Sequence, residues 1–375
     1  MTLFRDAIQS FSAAPGARRA RASRAVKIRV SRETSRVGFL APLLALGVML
    51  GGLAACDGGP GAIVLKNVSY DPTRELYTEI NDAFSAQYRA RTGRAVEILQ
   101  SHGGSGKQAR AVLDGLDADV VTFGCAADID VLAKRGRLLP ADWSARLPNR
   151  SVPFTSTIVF LVRRGNPKRI RRWEDLARPG VAVIAPNPKT SGGARWVYLA
   201  AWGHALRASG GDEAKARAFV TALYRNVPVL DSGARGATTT FARNGIGDVL
   251  LAWENEALLF TRRRATRDDF ELIVPTDSIL AEPPVAVVDT YARQHGTEAV
   301  ARDYLAFLFT EEGQAIGAKH HFRPQSEAVR ARHRDTFPSL ELFTLDEVAG
   351  DWARAQAKHF DEGGEFDRIY QPGRR

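Results

Sequence analysis

The sequence predicts an α/β protein of two lobes, each an open, largely parallel sheet flanked by helices, with a ligand cleft between them. Three observations carry this. The 375 residues exceed what one small core holds. Short Val/Ile/Leu-rich runs alternate with stretches of helical spacing, the pattern of strand–helix units in parallel sheets. Four strand-to-helix junctions are rich in glycine and small hydroxyl residues, which suits a crevice at the strand ends. The composition, 45% hydrophobic and 25% charged, fits a folded chain rather than a disordered or multi-spanning one. Two cysteines exclude a disulfide framework and a four-cysteine zinc site.

The chain opens on a leader. The formal charge of +10 suggests nucleic acid if read whole, but residues 1–37 hold nine basic side chains against Asp6 and Glu33, and 38–55 hold no charge. The leader therefore accounts for +7, and no nucleic-acid partner is expected. A basic stretch followed by the apolar run 37–53 has the layout of an export signal. Pro42, Gly47, Gly51 and Gly52 weaken a permanent helix there. The run closes on Leu53-Ala54-Ala55-Cys56, which resembles a bacterial lipoprotein signal. That resemblance implies removal of 1–55, lipid on Cys56, and 56–61 as a tether, with Asp57 retaining the protein at the inner membrane of the periplasm. A plain cleaved signal, or an uncleaved anchor with an incidental cysteine, is the alternative.

From Ala62 onward, strand candidates fall at 63–70, 96–100, 119–123, 157–162, 181–185, 248–253, 271–274 and 285–288. Between the first two, Leu76, Ile80, Phe84 and Tyr88 recur every four residues, and Ala109, Val112, Leu113 and Leu116 follow the second at helical spacing. Asp71-Pro72 reads as a helix start with the carboxylate as cap. The expected domains are 62–150 with about 255–325 as one lobe, about 151–254 as the other, and about 326–375 as C-terminal helices packed across both.

The chemistry is expected at the junctions. Strand one runs into Asp71-Pro72-Thr73 and strand two into Ser101-His102-Gly103-Gly104-Ser105-Gly106. A third junction runs through Lys189-Thr190 into Ser191-Gly192-Gly193-Ala194, and a fourth is Asp231-Ser232-Gly233-Ala234-Arg235-Gly236. Glycine lets consecutive N–H groups face outward, and helix starts add unpaired donors and a favourable dipole for an anion. Trp253, ending its strand, offers an indole N–H. Singly, each feature is an ordinary turn, N-cap or core residue; jointly they make a binding site.

The segment Asn67–Tyr77 and the stretches 101–110, 186–196, 230–236 and 252–257 resemble, in order, motifs of the bacterial periplasmic sulfate-binding proteins, which feed ABC importers. The resemblance runs from about Val64 to Asp367. It implies the type II periplasmic-binding-protein fold, no enzymatic activity and no cofactor or metal. It implies sulfate held by neutral donors at Asp71, Ser105, Ser191, Gly192, Gly193, Ala234 and Trp253. Ser191 contributes its hydroxyl, Trp253 its indole, and the others chiefly backbone N–H, with the Asp71 carboxylate capping its helix and Arg235 bracing the loop behind. The implied partners are sulfate, or thiosulfate, and an ABC permease, with the chain monomeric and touching the membrane through lipid. A donor-only site rejects phosphate, which keeps a proton, whereas thiosulfate, molybdate and tungstate differ mainly in size. The loop Phe123-Gly124-Cys125-Ala126-Ala127-Asp128 departs from the family pattern.

Other classes fare worse. Gly104–Lys107 is similar to a phosphate loop, but Ser101 and Gln108 stand where that pattern needs glycine and Ser or Thr. No G-x-S-x-G and no H-E-x-x-H occurs. His320-His321 reads as a solvated helix end, Cys125 as a buried thiol, and Arg262-Arg263-Arg264 as a solvated face or a membrane or permease contact. A sensory binding protein shares every one of these features.

Overall fold

Strand β1 (Ile63–Tyr70) leads directly into the cleft, and residues 61–371 are those the computed structural model describes. The leader, Cys56 and the tether lie outside the described residues. Pro72 sits in a one-turn 3-10 helix, Asp71–Thr73, before the long helix Arg74–Thr92. That helix buries Leu76, Ile80, Phe84 and Tyr88 as their spacing predicts, and ends at Gly93, whose φ of 72° closes it with an N–H to Arg89 O. Strand β1 pairs in parallel with β2 (Val96–Gly103) on one side and with β3 (Val120–Thr122) on the other.

The chain then crosses to the second lobe. Asn149, Arg150 and Ser151 take left-handed φ values of 52°, 58° and 63°. The turn is held by the buried Ser151 hydroxyl, which donates to the carbonyls of Trp143 and Ser144. After β4 (Phe154–Thr155), the strands β5 (Ile158–Arg163), β6 (Val183–Pro186), β7 (Leu230–Asp231), β8 (Val249–Trp253) and β9 (Phe270–Ile273) form a five-stranded sheet in the order β7-β6-β8-β5-β9. Strand β10 (Asp277–Ile279) precedes the return, marked by a bridge between Ser156 and Ala281, and β11 (Val285–Val287) joins the first sheet as β11-β3-β1-β2. A third passage follows β12 (Arg323–Pro324), which pairs with β4, toward β13 (Glu341–Phe343), which pairs with β10.

The strands that enter from a crossing, β5 and β11, run antiparallel to their neighbours because they start at the cleft. The others run toward it, so the first sheet is parallel but for β11 and the second but for β5. Two boundaries differ from those read in the sequence. The chain stays with the second sheet well past Trp253, because the helix Glu254–Arg262 is only the connection that brings β9 back beside β5. The tail does not straddle the lobes evenly: Phe343, Leu345, Val348, Phe360 and Phe366 enter the second lobe's core with Trp196, Tyr198 and Trp202. The first lobe has its own core around Ile80, Phe84, Tyr304 and Phe307.

Candidate anion-binding site

The four junctions meet where the lobes touch. A side chain at Gly104 would bring its Cβ within 2.6 Å of Thr190 O and 2.8 Å of Ser232 O, so three junctions crowd this one backbone position. At Gly192 a Cβ would lie 2.3 Å from Ser105 Oγ, at Gly193 3.1 Å from Trp253 Nε1, and at Gly233 2.5 Å from Asp71 Oδ2. At Gly104, Gly192 and Gly233 a Cβ does not fit without a shift, and at Gly193 it is a tight contact. All seven residues singled out in the sequence are brought together here and are buried, with the Tyr70 ring 5.4 Å from the Trp253 ring and tilted 57° to it.

Their polar atoms are oriented by local structure. Ser191 is the N-cap of the helix Gly192–Ala208 and accepts the Ala194 N–H at 3.2 Å, which leaves its own hydroxyl hydrogen to donate elsewhere. Ser105 is the first residue of the helix Ser105–Leu113, with Gly104 as N-cap. Its hydroxyl donates to Asp128 Oδ2 at 2.6 Å and accepts the Gly192 N–H at 3.1 Å, a bond between lobes. The Trp253 indole donates to Gly193 O at 3.2 Å. Ala234 begins the short helix Ala234–Thr238.

Two expectations are corrected. The Asp71 carboxylate caps nothing: it accepts from Arg74 Nη2 at 3.1 Å and lies against Gly233. Asp71 itself enters the first turn, so its side chain stands beside the free N–H groups rather than before them. Arg235 does not brace its own loop but reaches both Glu75 oxygens at 3.1 Å in the other lobe.

Sequence reasoning missed the charged groups on either flank. On one side Asp128 accepts from Arg195 Nη1 at 2.8 Å across the seam, with both side chains buried, and also from the Cys125 thiol at 3.4 Å. Burial pushes the Cys125 thiol well above its ordinary range, so it is no thiolate nucleophile. A groove of about 820 Å³ opens beside this pair, lined also by Arg110, Arg135, Lys189 and Asp361. On the other side Glu75 and Arg235 line a cavity of about 40 Å³ with Asn255, Glu256 and His321. Glu256 is pushed up to about 7, chiefly by burial, against the pull of Arg235 and with the push of Asp71 and Glu75. His320 is no solvated end: its Nε2 meets Glu79 at 2.8 Å, while burial and nearby Arg262 lower His321 to about 4. The signals that could have found Asp128 and Arg195 were their places in the departing loop and in the third junction. Among the described residues no group of three side chains is placed to hold a metal ion.

Helix starts that meet at a seam between two sheets define a binder of small anions. The family of bacterial extracellular solute-binding proteins matches residues 65–323. Over 307 residues the chain is 59% identical to the sulfate-binding protein of Salmonella typhimurium, covering 82% of this chain and 93% of that one. Over 334 residues it is 50% identical to the thiosulfate-binding protein of Pseudomonas aeruginosa, covering 89% and 98%. Among solved structures, the sulfate-binding protein SubI from Mycobacterium tuberculosis superposes with a TM-score of 0.71 at 34% identity, covering 80% and 99%. The chain belongs to the bacterial extracellular solute-binding proteins, in their sulfate- and thiosulfate-binding branch. Members of this family bind solutes rather than transform them. Among the described residues no helix is long and apolar enough to cross a membrane.

Proposed function

We propose that this protein captures sulfate outside the cytoplasm and hands it to an ABC permease. The observation that carries the reading is the meeting of Ser105, Ser191, Gly192, Gly193, Ala234 and Trp253 at one seam, three of them first residues of helices (Ser105, Gly192 and Ala234) and two of them N-caps (Ser191 and Trp253). Backbone N–H groups there, the Ser191 hydroxyl and the Trp253 indole supply donors to a dianion, and the Asp71 amide adds one from the first lobe. The Gly192 N–H, paired across the seam with Ser105, and the Trp253 indole, paired within the second lobe with Gly193 O, are donors a ligand competes for, so binding exchanges protein acceptors for sulfate oxygens. Asp128 takes the Ser105 hydroxyl proton, so that side chain is spent in holding the wall and Ser105 acts through its amide. Hinge closure then buries the anion and presents a closed form to the permease.

Sulfate has no proton to give, so a donor-only wall suits it and penalises hydrogen phosphate, whose proton faces another donor. Thiosulfate is the second reading, favoured by the 50% identity to a thiosulfate-binding protein. The chain is read as a monomer tethered in the periplasm by lipid on Cys56, outside the described residues.

Calorimetric titration of sulfate, thiosulfate, molybdate and phosphate separates these readings. Sulfate binding without phosphate binding is expected, and saturable phosphate binding of similar strength overturns the donor-only site. Ser191→Ala is expected to weaken sulfate by about 1.5–3 kcal/mol, the worth of a hydrogen bond to a charged group; unchanged affinity removes Ser191 from the site.

A further inference from the structure

The run Arg262-Arg263-Arg264 is one corner of a larger feature. The strand register locates it: β5 sets Ile158 opposite Trp253 at the cleft and Val162 opposite Val249 at the far end, where Arg163 also faces Phe270 of β9. The connections at that far end, residues 163–182, 243–248 and 262–271, hold twelve basic and six acidic side chains. The matching end of the first sheet, at 93–95, 114–119 and 288–298, holds two basic and five acidic. The asymmetry lies at the poles, away from the anion site.

The cations at this pole are under-used. Arg169, Arg171, Arg243, Arg263 and Arg264 are exposed and have no ion pair or side-chain hydrogen bond among the described residues. The pairs that do form are loose, 3.6 Å for Arg164–Glu271 and 3.8 Å for Arg267–Asp268. Arg163 shows the contrast: it donates to the Gly247 and Phe241 carbonyls and lies 4.4 Å over the Phe241 ring. Beside Arg243, Ile246 is 41% exposed, one of few large apolar side chains on the surface.

We propose that this pole of the second lobe is a docking surface for an anionic membrane, its arginines engaging lipid phosphates. The guanidinium fork takes phosphate oxygens in pairs, and basic side chains near an anionic leaflet add their attractions. Long unpaired arginines spread over three connections match a fluid field of headgroups better than a single fixed acidic pocket, and Ile246 is placed to enter the headgroup layer. The cleft lies at the opposite end of the strands, so the contact leaves it uncovered. The inference rests on export of the chain and not on which anion fills the cleft.

The test uses residues 58–375, one compact unit with its own cores, and vesicles of phosphatidylcholine alone or mixed equally with phosphatidylglycerol. The protein is expected to sediment with the anionic vesicles at low ionic strength and to be released by salt. Arg263→Glu, Arg264→Glu and Arg267→Glu together are expected to lower the bound fraction at least about tenfold, with sulfate affinity and melting temperature held. Arg169→Gln with Arg171→Gln and Arg243→Gln, outside that loop, should lower it by a smaller factor. Equal binding to both vesicle types, insensitivity to salt, or undiminished binding of the triple Glu variant overturns the proposal. So does loss of importer-dependent membrane association by that variant while its vesicle binding is unchanged, which assigns the patch to a protein partner. Loss of sulfate binding by the parent protein bears on the proposed function alone.

Discussion

The two flanks of the site join the same lobes with the same chemistry, an arginine from the second lobe on a carboxylate from the first, yet in opposite surroundings. Asp128 and Arg195 are 4% and 8% exposed; Glu75 and Arg235 are 35% and 36% exposed. The first pair is welded into the site through Ser105 and Gly192, whereas the second borders a small cavity holding Glu256. Burial decides the weight of each. Losing one partner of a buried pair strands a charge in a poor medium, while an exposed pair is screened and worth little. The flanks therefore divide the work: one fixes the geometry of the closed form, and the other leaves room for a titrating group.

The largest expected effect breaks the buried flank. Asp128→Ala leaves Arg195 and the Ser105 hydroxyl without their acceptor and is expected to cost about 3–5 kcal/mol in the closed state. Opening lets Arg195 hydrate, so the loss appears mainly as sulfate affinity, about a hundredfold or more by calorimetry. A variant within a factor of about two of the parent would make the two flanks equivalent and end the comparison.

The next effect belongs to the exposed flank and is read by pH. The Glu256 carboxyl lies near 7 in the fold and near 4.5 when free of it. The folded protein therefore holds the extra proton between those values, and its stability falls as pH rises through that window. Above and below it this group contributes no slope. The change is roughly 3 kcal/mol at most. Melting curves across the window should flatten in Glu256→Gln, and an unaltered slope would mean that Glu256 stays hydrated. The smallest effect is Arg235→Ala, expected to cost about 1 kcal/mol or less because both partners are a third exposed. A loss as large as that of Asp128→Ala, measured the same way, would show that exposure does not rank the two flanks.

Much of this arrangement is legible in the sequence, and the rest fails for a physical reason. Gly104 and Gly192 announce close backbone approach because a Cβ at either would clash, and helix starts at Ser105 and Ser191 follow from capping rules. The side-chain pairings do not follow, since Asp128 with Arg195 and Glu75 with Arg235 join residues 67 and 160 positions apart. Nothing local marks which carboxylate an arginine will meet. The Asp71 carboxylate misled because Asp-Pro fits both a cap and a first-turn position, and only the backbone of the tight turn selects the second. The place of β9 was hidden similarly: its residues suit either sheet, and partner choice is set by the connecting helix.

Gly192 carries one more consequence. Its bare Cα is what allows the second lobe to settle onto the Ser105 hydroxyl, since even one carbon would sit 2.3 Å from that oxygen. A methyl there acts as a doorstop. Neither lobe is altered within itself, both keep their cores, and the molecule is left ajar. A hydrogen in place of a methyl at this one position is thus what lets the two lobes meet through the Gly192 N–H and the Ser105 hydroxyl.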